Sequence, residues 1–116
     1  MSATATVLEP LFGLLELDAA GTVLYYNSER DTSVEAQTRD IVGRNLFADI
    51  TPAPDAGELE RQIGNFRRSE SPSRSLNFTF HYDRGDVHAR ILLARIRERS
   101  EQGGRESMLV HIRRAF

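Results

Sequence analysis

Residues 55–82 read DAGELERQIGNFRRSESPSRSLNFTFHY, and the hydrophobic period changes within them. Leu59, Ile63 and Phe66 recur at i, i+4 and i+7, the spacing that gathers apolar side chains on one face of a helix. Asp55 and Glu58 open the stretch in a D-x-x-E arrangement, which predicts a capping box and a helix over residues 55–68. Gly64 within it costs about 1 kcal/mol relative to alanine, and close packing against a sheet is one reason to tolerate it. Residues 69–75 form a Ser/Pro linker. Leu76, Phe78, Phe80 and Tyr82 then alternate with Asn77, Thr79, His81 and Asp83, the period of a strand with an aromatic face. A helix with one apolar stripe followed by a strand with one apolar face is the material of an α+β domain, in which helices cover one side of a sheet.

Outward from this stretch, Arg84-Gly85-Asp86 reads as a hairpin turn and residues 87–97 as a long strand. Val87, Ala89, Ile91 and Leu93 lie on one side of it. Leu92, Ala94 and Ile96 are apolar on the other, which predicts a bulge or burial of both faces. A charged, glycine-containing loop over 98–106 leads to a last strand over 107–112. Towards the amino terminus, residues 12–18 and 22–26 read as strands joined by Ala19-Ala20-Gly21, where Gly21 is free to take positive φ. Residues 27–43 are polar. Asn27 or Ser28 can cap a short helix, and Thr38 can start another turn with Ile41 and Val42 inward and Gly43 at its end. Leu46, Phe47 and Ile50 suggest one more helical turn, closed by Thr51-Pro52-Ala53-Pro54. Residues 1–11 read as a flexible leader and 12–116 as one domain, with a five-stranded antiparallel sheet and short helices plus one longer helix on one face.

The length of 116 residues suits one domain. Hydrophobic residues make up 40% and charged residues 28%, with a formal net charge of −2, so nothing in the balance calls for a nucleic-acid or membrane partner. There is no cysteine, which removes disulfides, zinc thiolates, cysteine nucleophiles and thioether or thioester pigments together. All 15 basic residues are arginine, which excludes Schiff-base chemistry and a Walker lysine. The longest apolar run, near Leu11–Leu15, is far too short to span a bilayer. With no signal-peptide pattern in the leader, the expectation is a cytoplasmic protein.

The order of elements is that of the PAS domains, and three motifs sharpen the likeness. Phe12-Gly13-x-x-x-Leu17-Asp18, Gly21-x-x-x-x-Tyr26-Asn27 and Val42-Gly43-Arg44-Asn45-Leu46-Phe47-x-Asp49-Ile50-x-Pro52 resemble the photoactive yellow protein branch of that superfamily. Phe78-x-Phe80-x-Tyr82 resembles that branch's central strand. Residues 26–52 lie on the family pattern without a gap. The resemblance implies a pocket between the concave sheet face and the helical segment, which in the photoreceptors holds p-coumaric acid as a cysteine thioester. That cysteine position is Ala53 here, and a methyl group forms no thioester. The glutamate that bonds the pigment falls on Arg30, the threonine and arginine further along on Val34 and Ala36, and only the tyrosine is retained, as Tyr26. The resemblance therefore implies a sensory domain that is not a p-coumarate photoreceptor and not an enzyme.

The ligand-binding residues this suggests are Tyr26, Arg30, Val34, Phe47 and Ala53, around a non-covalent small molecule whose identity the sequence leaves open. Tyr26 either donates a hydrogen bond into the pocket or is a strand aromatic whose hydroxyl finds any polar partner. Arg30 pointing inward would demand a carboxylate or phosphate; pointing outward it pairs with Glu29 or Asp31. His81, His88 and His111 lie on predicted strands, without metal-ligand spacing, as solvent-facing or hydrogen-bonded residues. Some PAS domains bind haem through a histidine on the long helix, and residues 55–68 contain none. Arg90, Arg95, Arg97, Arg99, Arg113 and Arg114 make the last two strands basic; pairing with acids and a weak anionic partner surface both remain open. The alternative function is a ligand-free interaction module, docking a homodimer partner or an effector protein through the sheet face or through Val7, Leu8 and Leu11 of the leader.

Overall fold

The computed structural model describes residues 12–28, 41–83, 85–98 and 105–115. The expectations for the leader, the capped turns over 29–40 and the Gly103-Gly104 loop lie outside them. Five strands are present: β1 (Gly13–Leu17), β2 (Val23–Ser28), β3 (Ser73–Tyr82), β4 (Gly85–Glu98) and β5 (Arg105–Arg114). They form one antiparallel sheet in the order β2-β1-β5-β4-β3. A π-helical turn (Leu46–Ile50) and one long helix, α1 (Ala53–Arg68), connect the first hairpin to the last three strands. The α+β architecture and the strand count are those expected.

Alternation sorts the strands into two faces. Leu15, Leu17, Tyr26, Phe78, Phe80, Ile91, Leu93, Met108 and Val110 are buried on the inner face. Against them pack Leu46, Phe47 and Ile50 of the π-helical turn and the Leu59/Ile63/Phe66 stripe of α1. Each large side chain so buried contributes roughly 1.5–3 kcal/mol.

Several local expectations are corrected. The helix starts at Ala53, not Asp55, because Pro54 sits in the first turn, where a missing N–H leaves no intrahelical bond unmade. No capping box forms: Asp55 is drawn to β3, and Glu58 takes Arg61 and Gln62 instead. Val42 is 40% exposed rather than inward, while Ile41 is buried as expected. The register of β4 with β3 and β5 is continuous, so its mixed parity is neither a bulge nor burial of both faces; Leu92 on the second face is 45% exposed. The register shift lies instead where Glu16 and Leu17 meet Tyr25 and Val23.

The segment before the π-helical turn is built around Asn45. Its side-chain oxygen accepts from the Phe47 and Ala48 N–H groups at 3.0 Å each, its amide donates to the Ala20 carbonyl at 2.9 Å, and its own N–H donates to Asp49 at 2.9 Å. Backbone bonds from Leu46 to Gly21, from Val23 to Arg44 and from Gly43 to Val23 fasten the same segment to the β1–β2 turn. Gly21 must be glycine twice over: its φ is +90°, and a Cβ there would stand 2.6 Å from the Phe47 ring.

Gly64 does not pack on the sheet as expected; a Cβ there would meet only the Arg68 guanidinium, at 3.2 Å. The two glycines should therefore respond oppositely to alanine. Gly21→Ala should lower stability by about 1–3 kcal/mol through strain and the Phe47 clash. Gly64→Ala should raise it by up to about 1 kcal/mol once Arg68 swings aside. Urea midpoints at constant m-value measure both; a Gly21→Ala midpoint at or above wild type would show that the turn needs neither the angle nor the space.

Candidate functional site

Five residues were expected to line a pocket on the inner face. Tyr26 is 4% exposed, and its hydroxyl donates to the Phe12 carbonyl at 3.3 Å, so that group fastens the start of β1 to β2. Phe47 is buried against Gly21 and the core. Ala53 opens α1 in an exposed position. Arg30 and Val34 lie outside the described residues.

Chemistry missed in the sequence gathers two residues beyond Ala53. Asp55 is 5% exposed. One carboxylate oxygen accepts the backbone N–H of His81 at 2.6 Å, and the other lies 2.5 Å from His81 Nδ1. Because β3 is an edge strand, the N–H groups on its outer side have no ladder partner. A carboxylate at the start of a helix both satisfies one of them and complements the helix dipole. The bond to Asp55 raises the pKa of His81 above its ordinary value; Asp55 and Asp86 add through their charge, against a desolvation cost.

Beside this clamp, β3 presents an aromatic ladder to the inner face. The Phe78 and Phe80 rings meet edge to face with centroids 4.9 Å apart, and Tyr82 continues the series 6.1 Å from Phe80. Tyr82 is half-buried against the core, and its hydroxyl makes no hydrogen bond among the described residues. Burial, reinforced by the Asp55 charge, pushes its pKa up to about 12, which keeps it a neutral donor. Phe78 and Phe80 are buried in the core, so the accessible end of the ladder is the half-buried Tyr82, an aromatic ring with one polar handle. The alternation of aromatic residues had already placed Phe80 and Tyr82 on one face of the strand.

Of the arginines in the last two strands, Arg90, Arg95, Arg113 and Arg114 make no ion pair with an acid among the described residues, and the side chains of Arg97 and Arg99 lie outside the described ones. Arg95 donates to the carbonyls of Phe66, Arg67, Ser69 and Ser71 and lies 4.9 Å from the Phe66 ring centroid. A recess of about 40 Å³ beside it is lined by Ala19, Arg67, Arg95, Ser107 and Met108. Both guanidinium groups there are already committed to carbonyls, Arg67 to those of Asp18 and Ala19. Arg114 stacks over Phe12. His88 Nδ1 lies 3.0 Å from the Thr79 hydroxyl. No helix of the described residues is long and apolar enough to cross a membrane.

A five-stranded antiparallel sheet carrying its helices on one face, entered through the Gly21–Asn45 junction, is the PAS architecture. The chain belongs to the PAS family: residues 12–112 match its PAS fold. Among curated proteins it is similar to the photoactive yellow protein of Rhodothalassium salexigens, 35% identical over 71 residues, which is 61% of this chain and 54% of that protein. The match thus spans about half of that relative's length. Among solved structures it is similar to the photoactive yellow protein domain of the sensor histidine kinase Ppr from Rhodospirillum centenum (TM-score 0.56, 18% identity, 93% of this chain and 97% of that one). A second is the PAS domain of the Cronobacter turicensis quorum-sensing receptor RpfR in complex with BDSF (TM-score 0.57, 16% identity, 90% and 92%). The pigment cysteine of the photoactive branch is absent.

The clamp makes stability depend on pH in a fixed direction. A histidine whose pKa is raised by folding stabilises fully below its unfolded value of about 6.5, and the contribution fades as pH rises through the folded value. The melting temperature of the wild type minus that of His81→Gln should therefore shrink from about pH 5 to about pH 9. A difference that stays level across that range would remove His81 from the linkage.

Proposed function

We propose that this PAS sensory domain binds a small molecule non-covalently on the concave face and passes the event on as a change of packing between helix and sheet. The observation that carries the reading is the Tyr82 hydroxyl, half-buried and without a hydrogen-bond partner among the described residues, at the end of the Phe78–Phe80 ladder and next to the Asp55 clamp. A ligand that fits is flat or apolar with one acceptor for that hydroxyl. Arg30, Val34 and Ala53, from the positions that surround the pigment in the photoactive branch, are proposed to complete the site with Tyr26 and Phe47. The RpfR domain, solved with its signal molecule, gives precedent for ligand binding on this fold. Ala53 cannot carry p-coumaric acid as a thioester, and the lack of cysteine and lysine leaves little from which to build covalent catalysis. On this reading the domain works in the cytoplasm as the input of a signalling system, neither an enzyme nor a photoreceptor.

A second reading is an interaction module that holds no ligand and acts as a homodimer or through an effector protein. The exposure of Leu92 and Tyr25 on the outer sheet face favours it. One experiment separates the two: an absorption spectrum with native and denaturing mass spectra of freshly purified protein. The ligand reading expects an added mass lost on denaturation, reduced in Tyr82→Phe. A clean apo mass in wild type with no visible band would sink it and leave the interaction module.

A further inference from the structure

β3 ends the sheet, and its far edge is open. In an antiparallel ladder, alternate residues turn both backbone groups to the same side. The Arg95 N–H donates to the Pro72 carbonyl in step with the β3–β4 register, so the even-numbered residues of β3 face β4. The His81 N–H, reaching Asp55, shows that the odd-numbered ones face away. The backbone groups of Ser73, Ser75, Asn77 and Thr79 on that side meet no partner among the described residues. Ser73, Ser75 and Asn77 are exposed.

Natural sheets blunt an open edge with a bulge, a proline, an inward charge or a short strand. β3 runs for 10 residues with no proline and no register shift, and its one arginine, Arg74, is turned to the Phe66 ring at 5.8 Å from the centroid. The open stretch is closed at both ends. The Ser71 carbonyl accepts from Arg95 Nε, and Asp55 holds the His81 N–H. Between them the four free residues are centred on Leu76. A two-fold axis there pairs them among themselves, Ser75 with Asn77 and Ser73 with Thr79 of the other copy, and leaves both engaged neighbours out. An axis at Arg74 would set that arginine against its own copy. An axis at Ser75 would draw in Ser71, and one at Asn77 or Phe78 would draw in His81. The side chains agree with the axis at Leu76. That residue, half-buried against the core, meets its own copy on the inner side, while serine meets asparagine or threonine on the outer side.

We infer that β3 pairs antiparallel with β3 of a second copy of this chain about a two-fold axis at Leu76, joining two sheets edge to edge into one. About eight backbone hydrogen bonds form the seam, and the paired Leu76 side chains cover its inner side. The contact is isologous, so it closes at two copies rather than growing into a fibre. A foreign strand would satisfy the same backbone groups, but the self-complementary spacing of the free residues is what a second copy supplies. The inference uses no group of the proposed ligand site and stands apart from that reading. To the homodimer of the second reading it gives a seam other than the outer face that carries Leu92 and Tyr25.

The test uses the full chain, which has no cysteine of its own. Sedimentation equilibrium over a concentration series should show the mass climbing from monomer towards dimer. Asn77→Pro removes an outward N–H at a place where an edge strand accepts proline, and should weaken the dimer at least about tenfold. Ser75→Lys with Asn77→Lys sets lysine against lysine across the seam and should do the same, as should Ser75→Glu with Asn77→Glu. Mixing the two double variants should restore a heterodimer. Thermal melts check that each variant folds. On mild oxidation Leu76→Cys should give a disulfide-linked dimer, because residues facing each other in a non-hydrogen-bonded pair stand within disulfide reach. Thr79→Cys, roughly 20 Å from its own copy, should not. A monomer at every concentration overturns the inference. So does a dimer that Asn77→Pro and both double variants leave intact, or a disulfide formed by Thr79→Cys in place of Leu76→Cys. A dimer dissolved by Leu92→Asp but not by the edge variants overturns it too, and moves the contact to the outer face. The bound mass should be the same in Asn77→Pro as in the wild type, so the ligand reading and this one fail separately.

Discussion

The guanidinium of Arg95 decides how the one long helix meets the sheet. A helix ends with carbonyls that have no intrahelical partner and with a partial negative charge. Arg95 reaches from the inner face of β4 and donates to the carbonyls of Phe66, Arg67, Ser69 and Ser71. The same group covers the Phe66 ring, the residue of α1 that is fully buried at that end. At the opposite end Asp55 takes the free edge of β3. The helix is therefore held at both ends by polar contacts to neighbouring strands, and the stripe of Leu59 and Ile63 between them has only to pack. Placing a cation on an inner strand face would be costly if it stood alone; surrounded by carbonyls and a ring, it is satisfied.

What the sequence showed and what it hid divide along the range of the interactions. The alternation of Leu76, Phe78, Phe80 and Tyr82 and the stripe of Leu59, Ile63 and Phe66 are local patterns, and both elements formed, though the helix begins two residues before the expected start and the strand takes in Ser73–Ser75 of the expected linker. The capping box was wrong because the buried carboxylate of Asp55 found a partner 26 residues away. Arg95 could be read only as one of several basic residues, since its acceptors lie 24–29 residues earlier in the chain. The site shows the same division. Tyr26 was named from its family position, but its hydroxyl is held by the Phe12 carbonyl, whereas Tyr82, named only as part of a strand, has a hydroxyl without a hydrogen bond among the described residues.

β4 carries side chains to both faces of the sheet. Arg95 on its inner side holds the end of the helix, while Arg90 and Leu92 face outward on the same strand. A ligand shifts an equilibrium only by its difference in affinity for two states. A molecule at the Tyr82 end of the ladder would have to favour one placement of α1 over another, and the contacts that define that placement are those of Asp55 and Arg95. A shift at either end is felt on β3 or β4 directly, without a longer chain of side chains between.

The motifs shared with the photoactive branch also have separate physical roles. Gly21, Gly43, Asn45 and Asp49 form the junction between the first hairpin and the π-helical turn, through a positive φ, a close ring contact and a reciprocal cap. None of these contacts involves a pigment. Ala53, at the pigment-attachment position, opens a helix whose first turn is completed by Pro52 and Pro54 and anchored by Asp55. The backbone geometry that would present a cysteine is thus built without one. A chain can replace the pigment-contacting side chains and keep this frame, because the bonds that hold the frame run from backbone to Asn45, Asp49 and Asp55.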